Sequence, residues 1–281
     1  MSDVSYEIPA LLKEIMQWEK EMADQVPYLE TPSGLFLGIQ GDGNGGYSCS
    51  PIDSITFAGT GMDGIHYALL TDFGTVTKLE EAPVICISPM DFGNCVRLVA
   101  RNLHDFFSIQ LFDTGALLND FDSEERYLDY RRRAEEEDNT SEYFDHRLWK
   151  EQRELVAKTA REKFGLPFIP NSFQYMKELR AERQQQIAIK TRDGLGVAAW
   201  PNGVGTNDKP HPWSHDDIPY DDLELLQAFF DTSETETKLA LIRDYQSEGI
   251  ADLSSLELIC KELKKMGLFC EAKKLYECMG R

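Results

Sequence analysis

Six short apolar runs crowd residues 35–100, and the brevity of what separates them decides the topology. LFLGI (35–39), ITF (55–57), IHYALL (65–70), VTKL (76–79), VICIS (84–88) and VRLVA (96–100) are broken by turn residues, among them GDGNGG at 41–46. A parallel crossover needs a dozen or more residues, so the short connections that follow ITF favour antiparallel pairing. The first part of the chain must therefore contain an antiparallel sheet.

Helical spacing flanks the sheet. Leu11, Ile15, Trp18 and Met22 recur at three and four residues over 8–25, with Pro9 suited to a first turn. Leu103, Phe106, Phe107, Leu111 and Leu118 share one side of a helix over 102–118, with Asn102 as its N-cap. The sequence thus predicts an α+β class: an antiparallel sheet with flanking helices, followed by a mainly helical C-terminal region. Three divisions follow. Residues 1–120 form the α+β domain. Residues 121–220 form a charged helical region, with RRRAEEED (131–138), a helix over FQYMKELRAERQQQI capped by Asn171 or Ser172, and a loop over 191–219. Residues 221–281 form amphipathic helices with short joins, Gly267 and Gly280 closing two of them.

The stretch FAGTGMDGIHYALLTDFG (57–74) imitates two enzyme signatures. Gly59, Gly61 and Gly64 satisfy G-x-G-x-x-G, but a phosphate loop must open a helix. Here Ile65, Tyr67 and Leu69 alternate with His66, Ala68 and Leu70, which is a strand. The glycines belong to a turn between two strands. Asp72-Phe73-Gly74 and Asp91-Phe92-Gly93 match the kinase triplet, yet no HRD loop exists and Gly64 lies only a few residues before Asp72. Each triplet is expected to end a strand, with Phe packed inward and Gly turning the chain.

Other chemistry finds little support. The His211, His215, Asp216, Asp217 cluster has the composition of a divalent-metal site, but Pro212 works against helical alignment of the two histidines, and a polar loop is expected. Ser50 and Ser88 precede prolines and lack a nucleophile elbow. Cys49 could face His66 across a hairpin. The six cysteines form no C-x-x-C pair and read as reduced, mostly buried thiols of a cytoplasmic protein. No catalytic, cofactor or metal residue is assigned. With 49 acidic against 29 basic residues, the net charge of −20 disfavours nucleic acid and anionic membranes; it favours a basic partner or simply serves solubility. No apolar run reaches membrane-spanning length, and MSDVSYEIPA does not read as a secretory signal.

Residues 47–107 carry a resemblance. YSCSPIDSITFAGTGMDGIHYALL, then APVICISPMDFGNCVRLVARNLHDFF, resembles the SUKH superfamily of immunity proteins and related interaction modules. The likeness lies in the Phe-Ala then Gly-x-Asp-Gly-x-His-Tyr turn and strand (57–67), the apolar strand after Pro83, and VARNLHDFF (99–107). It covers roughly 8–118. It implies a sheet of about six antiparallel strands and a binding role, in which an acidic surface neutralises a basic toxin domain. The expected function is therefore a non-enzymatic protein-binding module. Gly61, Asp63, Gly64, His66 and Asp72 are its structural motif or partner-binding residues. Two alternatives are a helical scaffold or regulatory protein acting through 221–281, and a hydrolase that gathers Asp63, His66, Asp72 and Asp91 in one pocket.

Overall fold

The computed structural model describes residues 6–39, 46–137, 145–199 and 209–280. The chain is an α+β fold. Strands β1 (Phe36–Leu37), β2 (Ser54–Gly59), β3 (His66–Leu70), β4 (Val84–Ile87) and β5 (Val96–Ala100) form one sheet in sequence order, every neighbour antiparallel. Thr56 pairs with Ala68, Ala68 with Ile85, and Ile85 with Leu98.

Five strands form where six were expected, because VTKL does not join the ladder. Asp72, Phe73 and Gly74 take positive φ in succession (47°, 53° and 83°), and the amides of Gly74, Thr75 and Val76 turn back onto Thr71 and Asp72 carbonyls. The chain leaves the sheet there, Leu79–Glu81 make a short 3-10 turn, and β3 pairs directly with β4.

Helix α1 (Ala10–Met22) buries Leu11, Leu12, Ile15, Trp18 and Met22 as its spacing required. Helix α2 (Leu103–Phe112) starts where Asn102 accepts the Asp105 amide at 3.0 Å. It packs Phe106 against Phe57 and Tyr67, with ring centroids 5.2 and 4.8 Å apart. Asp113 (φ −156°, ψ 53°) then breaks the expected single helix, and α3 (Thr114–Leu118) is separate. Helices α4 (Glu124–Glu137), α5 (His146–Phe164) and α6 (Ser172–Gln186) follow, Asn171 capping α6 through the Gln174 amide. The Trp18 and Phe164 rings meet edge to face at 5.5 Å. Tyr127, Val156, Ala160, Phe164, Met176 and Leu179 join the same apolar cluster as the sheet, α1 and α2.

The expected loop over 191–219 is corrected at its start. Ile187–Ile189 (β6) and Val197–Ala198 (β7) pair as a small hairpin, turned by Gly194 and Gly196 at φ 76° and 66°. Residues 200–208 of that loop, like 40–45 of the GDGNGG segment and Asp138 of the charged run, lie outside the described residues.

Helices α7 (Leu223–Thr232), α8 (Thr235–Ser247), α9 (Leu253–Lys265) and α10 (Phe269–Met279) build a second apolar cluster with the hairpin. Gly267, at φ 83°, closes α9 as a left-handed cap. This cluster also recruits Ile52 and Phe73 from the two chain segments that flank the sheet. Among the described residues, no helix is long and apolar enough to cross a membrane.

Candidate interaction surface and the buried charge cluster

The sequence-predicted residues divide between two places. Gly61, Asp63, Gly64 and His66 lie at the β2–β3 turn, and Asp72 lies beyond the other end of β3. Six residues of extended chain separate His66 from Asp72, on the order of 20 Å at ~3.3 Å per residue. Asp91 sits in the β4–β5 turn, half-exposed, 3.9 Å from Arg97. Asp63, His66, Asp72 and Asp91 therefore do not meet in one pocket.

The β2–β3 turn is tightly specified. Gly61, Asp63 and Gly64 all take positive φ (78°, 50° and 71°), which glycine adopts without penalty and Asp tolerates. The Thr60 hydroxyl donates to Ile65 O at 3.1 Å and accepts the Met62 amide at 3.2 Å. Two aromatic rings lie directly on this backbone. A Cβ added at Gly61 would come within 2.6 Å of the Phe36 ring, and one at Gly64 within 2.2 Å of the Tyr47 hydroxyl. Glycine is thus required twice over, for conformation and for the aromatic cover.

His66 is held by its neighbours. Its Nδ1 lies 2.7 Å from Gly64 O and donates to it, which leaves Nε2 to accept from Ser50 Oγ at 3.4 Å. The Tyr47 ring stacks on it with centroids 5.9 Å apart. Ser50 faces the imidazole, whereas Cys49 lies beside Cys95. Ser50 is buried, and a Cβ at Gly46 would sit 3.0 Å from its hydroxyl, so the pair ties loop 47–52 to the start of β3.

Burial pushes the His66 pKa below its ordinary 6.5, against the hydrogen bond to Gly64, with Lys274 adding to the depression. The fold thus prefers the neutral ring. Its stabilising contribution is complete above pH ~6.5, the unfolded value, and is lost as pH falls through the folded value. Denaturant midpoints measured from pH 7 down to pH 5 are expected to fall less steeply in His66→Gln than in the parent chain. Equal slopes would remove His66 as a source of the acid sensitivity.

Around this turn the surface is apolar. Met62, Phe36 and Tyr47 are 59, 51 and 50% exposed. The β4–β5 turn leaves the same end of the sheet and displays Met90 and Phe92, at 65 and 84%. The exposure of Phe92 corrects the expectation for the second Asp-Phe-Gly. Gly93 does turn the chain at φ 89°, but Phe92 points outward, because this turn projects past the end of the sheet.

The first triplet does pack inward, into a cluster that sequence reasoning missed. Arg183 of α6 grips Asp72 with both terminal nitrogens, at 2.7 and 2.6 Å, and gives its Nε to Leu195 O at 2.8 Å. Arg243 of α8 donates to Asp53, contacts Asp193 at 3.2 Å, and lies 4.9 Å above the Phe73 ring. Asp53 also accepts the Phe73 amide at 3.2 Å. All of these side chains are buried or nearly so. Burial raises the Asp53 carboxyl, with Arg243 opposing. For Arg243, burial works toward a lower value, but Asp53, Asp193 and Asp72 outweigh it and raise the pKa. Three carboxylates share two guanidinium groups. Arg243, on α8 of the second apolar core, reaches Asp53 beside β2 of the first, so the cluster joins the two cores.

The histidine–aspartate group resolves differently from a metal site. His211 is buried, with Nε2 2.9 Å from Asp244 Oδ2, while His215, Asp216 and Asp217 are exposed. Among the described residues, no group of three or more His, Cys, Asp or Glu is placed to hold a metal ion. No protein-family model matches the chain, and no curated protein is significantly similar to it.

Proposed function

We propose that this chain is a non-enzymatic protein-binding module of the cytoplasm, and that the turn end of its main sheet is the binding surface. The partner is a basic protein face with apolar pockets. A toxin domain neutralised by an immunity protein fits that description and accords with the SUKH-like sequence. The observation that carries the reading is the set of exposed apolar side chains at one end of the sheet, Met62, Met90 and Phe92 on two short turns with Phe36 of β1 and Tyr47 beside them, on a chain with net charge −20. Exposed aromatic and methionine side chains on a rigid frame are what an interface core uses, and the charge supplies long-range attraction to a cation.

The experiment is retention of host proteins on immobilised chain, compared across surface variants and salt. Phe36→Asp combined with Phe92→Asp is expected to weaken retention on the order of 30-fold, the effect of losing an anchor worth about 2 kcal/mol. Raising salt from ~0.1 to ~1 M should weaken it further. Leu253→Asp with Tyr276→Asp, on exposed positions of α9 and α10, should leave it unchanged. The opposite pattern would favour the helical scaffold, and retention indifferent to every variant would overturn both readings. Truncation at 221 is unsuitable for this comparison, because Ile52 and Phe73 would lose their core.

A further inference from the structure

Three cysteines from distant parts of the sequence converge beside the charge cluster. Cys95 and, more weakly, Cys278 are close enough to the Cys49 thiol to act on its charge. Cys49 and Cys95 line one surface cavity of about 170 Å³, together with Arg192, Asp193 and Arg243. Both are half-buried thiols, reachable through that cavity. Cys95 is further fixed by donating to Asp91 O at 3.2 Å.

We infer that Cys49 and Cys95 are a thiol–disulfide exchange site, converted to a reversible disulfide by a small-molecule disulfide R–S–S–R. Burial, and then the neighbouring Cys95, push the Cys49 thiol up to about 12, which slows its attack as a thiolate. One of the two thiols loses its proton to solvent and attacks one sulfur of the reagent. The R–S–S–R bond breaks, and RS⁻ leaves to become RSH. The other thiol then gives up its proton and attacks the protein-bound sulfur of the mixed disulfide, forming the protein disulfide and expelling a second RSH. Two protein thiols are oxidised and one disulfide is reduced to two thiols. The product ties loop 47–52, which carries Tyr47, to the turn that carries Phe92. An effect of the bond on partner retention rests on the proposed binding surface, whereas the bond itself does not.

The test uses the full chain with Cys270→Ser, because Cys270 is exposed and would take up reagent by itself. The folded protein is incubated with oxidised glutathione, quenched in acid, alkylated under denaturing conditions and mapped by mass spectrometry. The expected result is loss of two alkylatable thiols and a single crosslinked pair of peptides holding Cys49 and Cys95. Cys49→Ser or Cys95→Ser should instead accumulate a stalled glutathione adduct on the remaining thiol of the pair, at least 10-fold above the parent. A Cys49–Cys278 link, a crosslink that forms only in denaturant, or no oxidation of the folded chain would each overturn the inference. Retention on the surface described above, measured before and after oxidation, reports separately on the binding reading.

Discussion

Arg243→Ala is expected to lower the stability of the folded protein by about 3–5 kcal/mol, the cost of stranding a buried charge. That is a large share of the ~5–15 kcal/mol that holds a typical domain together. The substitution removes the donor to Asp53, the contact to Asp193 and the cation above Phe73 in one step. Denaturant unfolding measures it. Adding Asp53→Asn should recover part of the loss, because it withdraws one of the stranded charges. If the double variant is no better than Arg243→Ala alone, the cost lies in packing against Phe73 and not in charge.

Phe106→Ala should cost a comparable ~3–5 kcal/mol for a different reason. Phe106 is fully buried and touches Phe57, Tyr67 and Phe107 at centroid distances of 4.8–5.2 Å. Its removal leaves a cavity among rings that cannot collapse into it. The two substitutions also probe cooperativity. If the two apolar clusters unfold as one unit, both variants shift a single transition. If the clusters unfold separately, Phe106→Ala moves only the transition of the sheet and its helices, and Arg243→Ala widens the gap between the two. A Phe106→Ala midpoint equal to the parent's would mean that the ring does not pack as described.

The elements with strong local signals were legible in the sequence. Spacing at three and four residues gave α1 and α2, and Asn102 gave the start of α2, because both signals lie within a turn or two of helix. Short connections gave the antiparallel order, and alternation after Gly64 disposed of the phosphate loop. Three kinds of feature escaped. Strands β6 and β7 contain three and two residues, too few to show a period, so their hairpin read as loop. VTKL has strand composition, but three left-handed residues before it lead the chain out of the sheet. The partners of Asp72 and Asp53 stand 111 and 190 residues away, and no local pattern announces a pairing at that distance. The two Asp-Phe-Gly triplets make the point compactly. Identical spelling buries Phe73 and exposes Phe92, because only the first meets the C-terminal helices.

That distance has a temporal side. A ribosome adding ~5–20 residues per second delivers Arg243 about 10–40 seconds after Asp53. Until then the sheet waits with Asp53 in water and with Ile52 and Phe73 uncovered. The nascent chain therefore passes through an interval in which its first half has a core but lacks its seal, and a chaperone that recognises exposed apolar side chains has that interval in which to act.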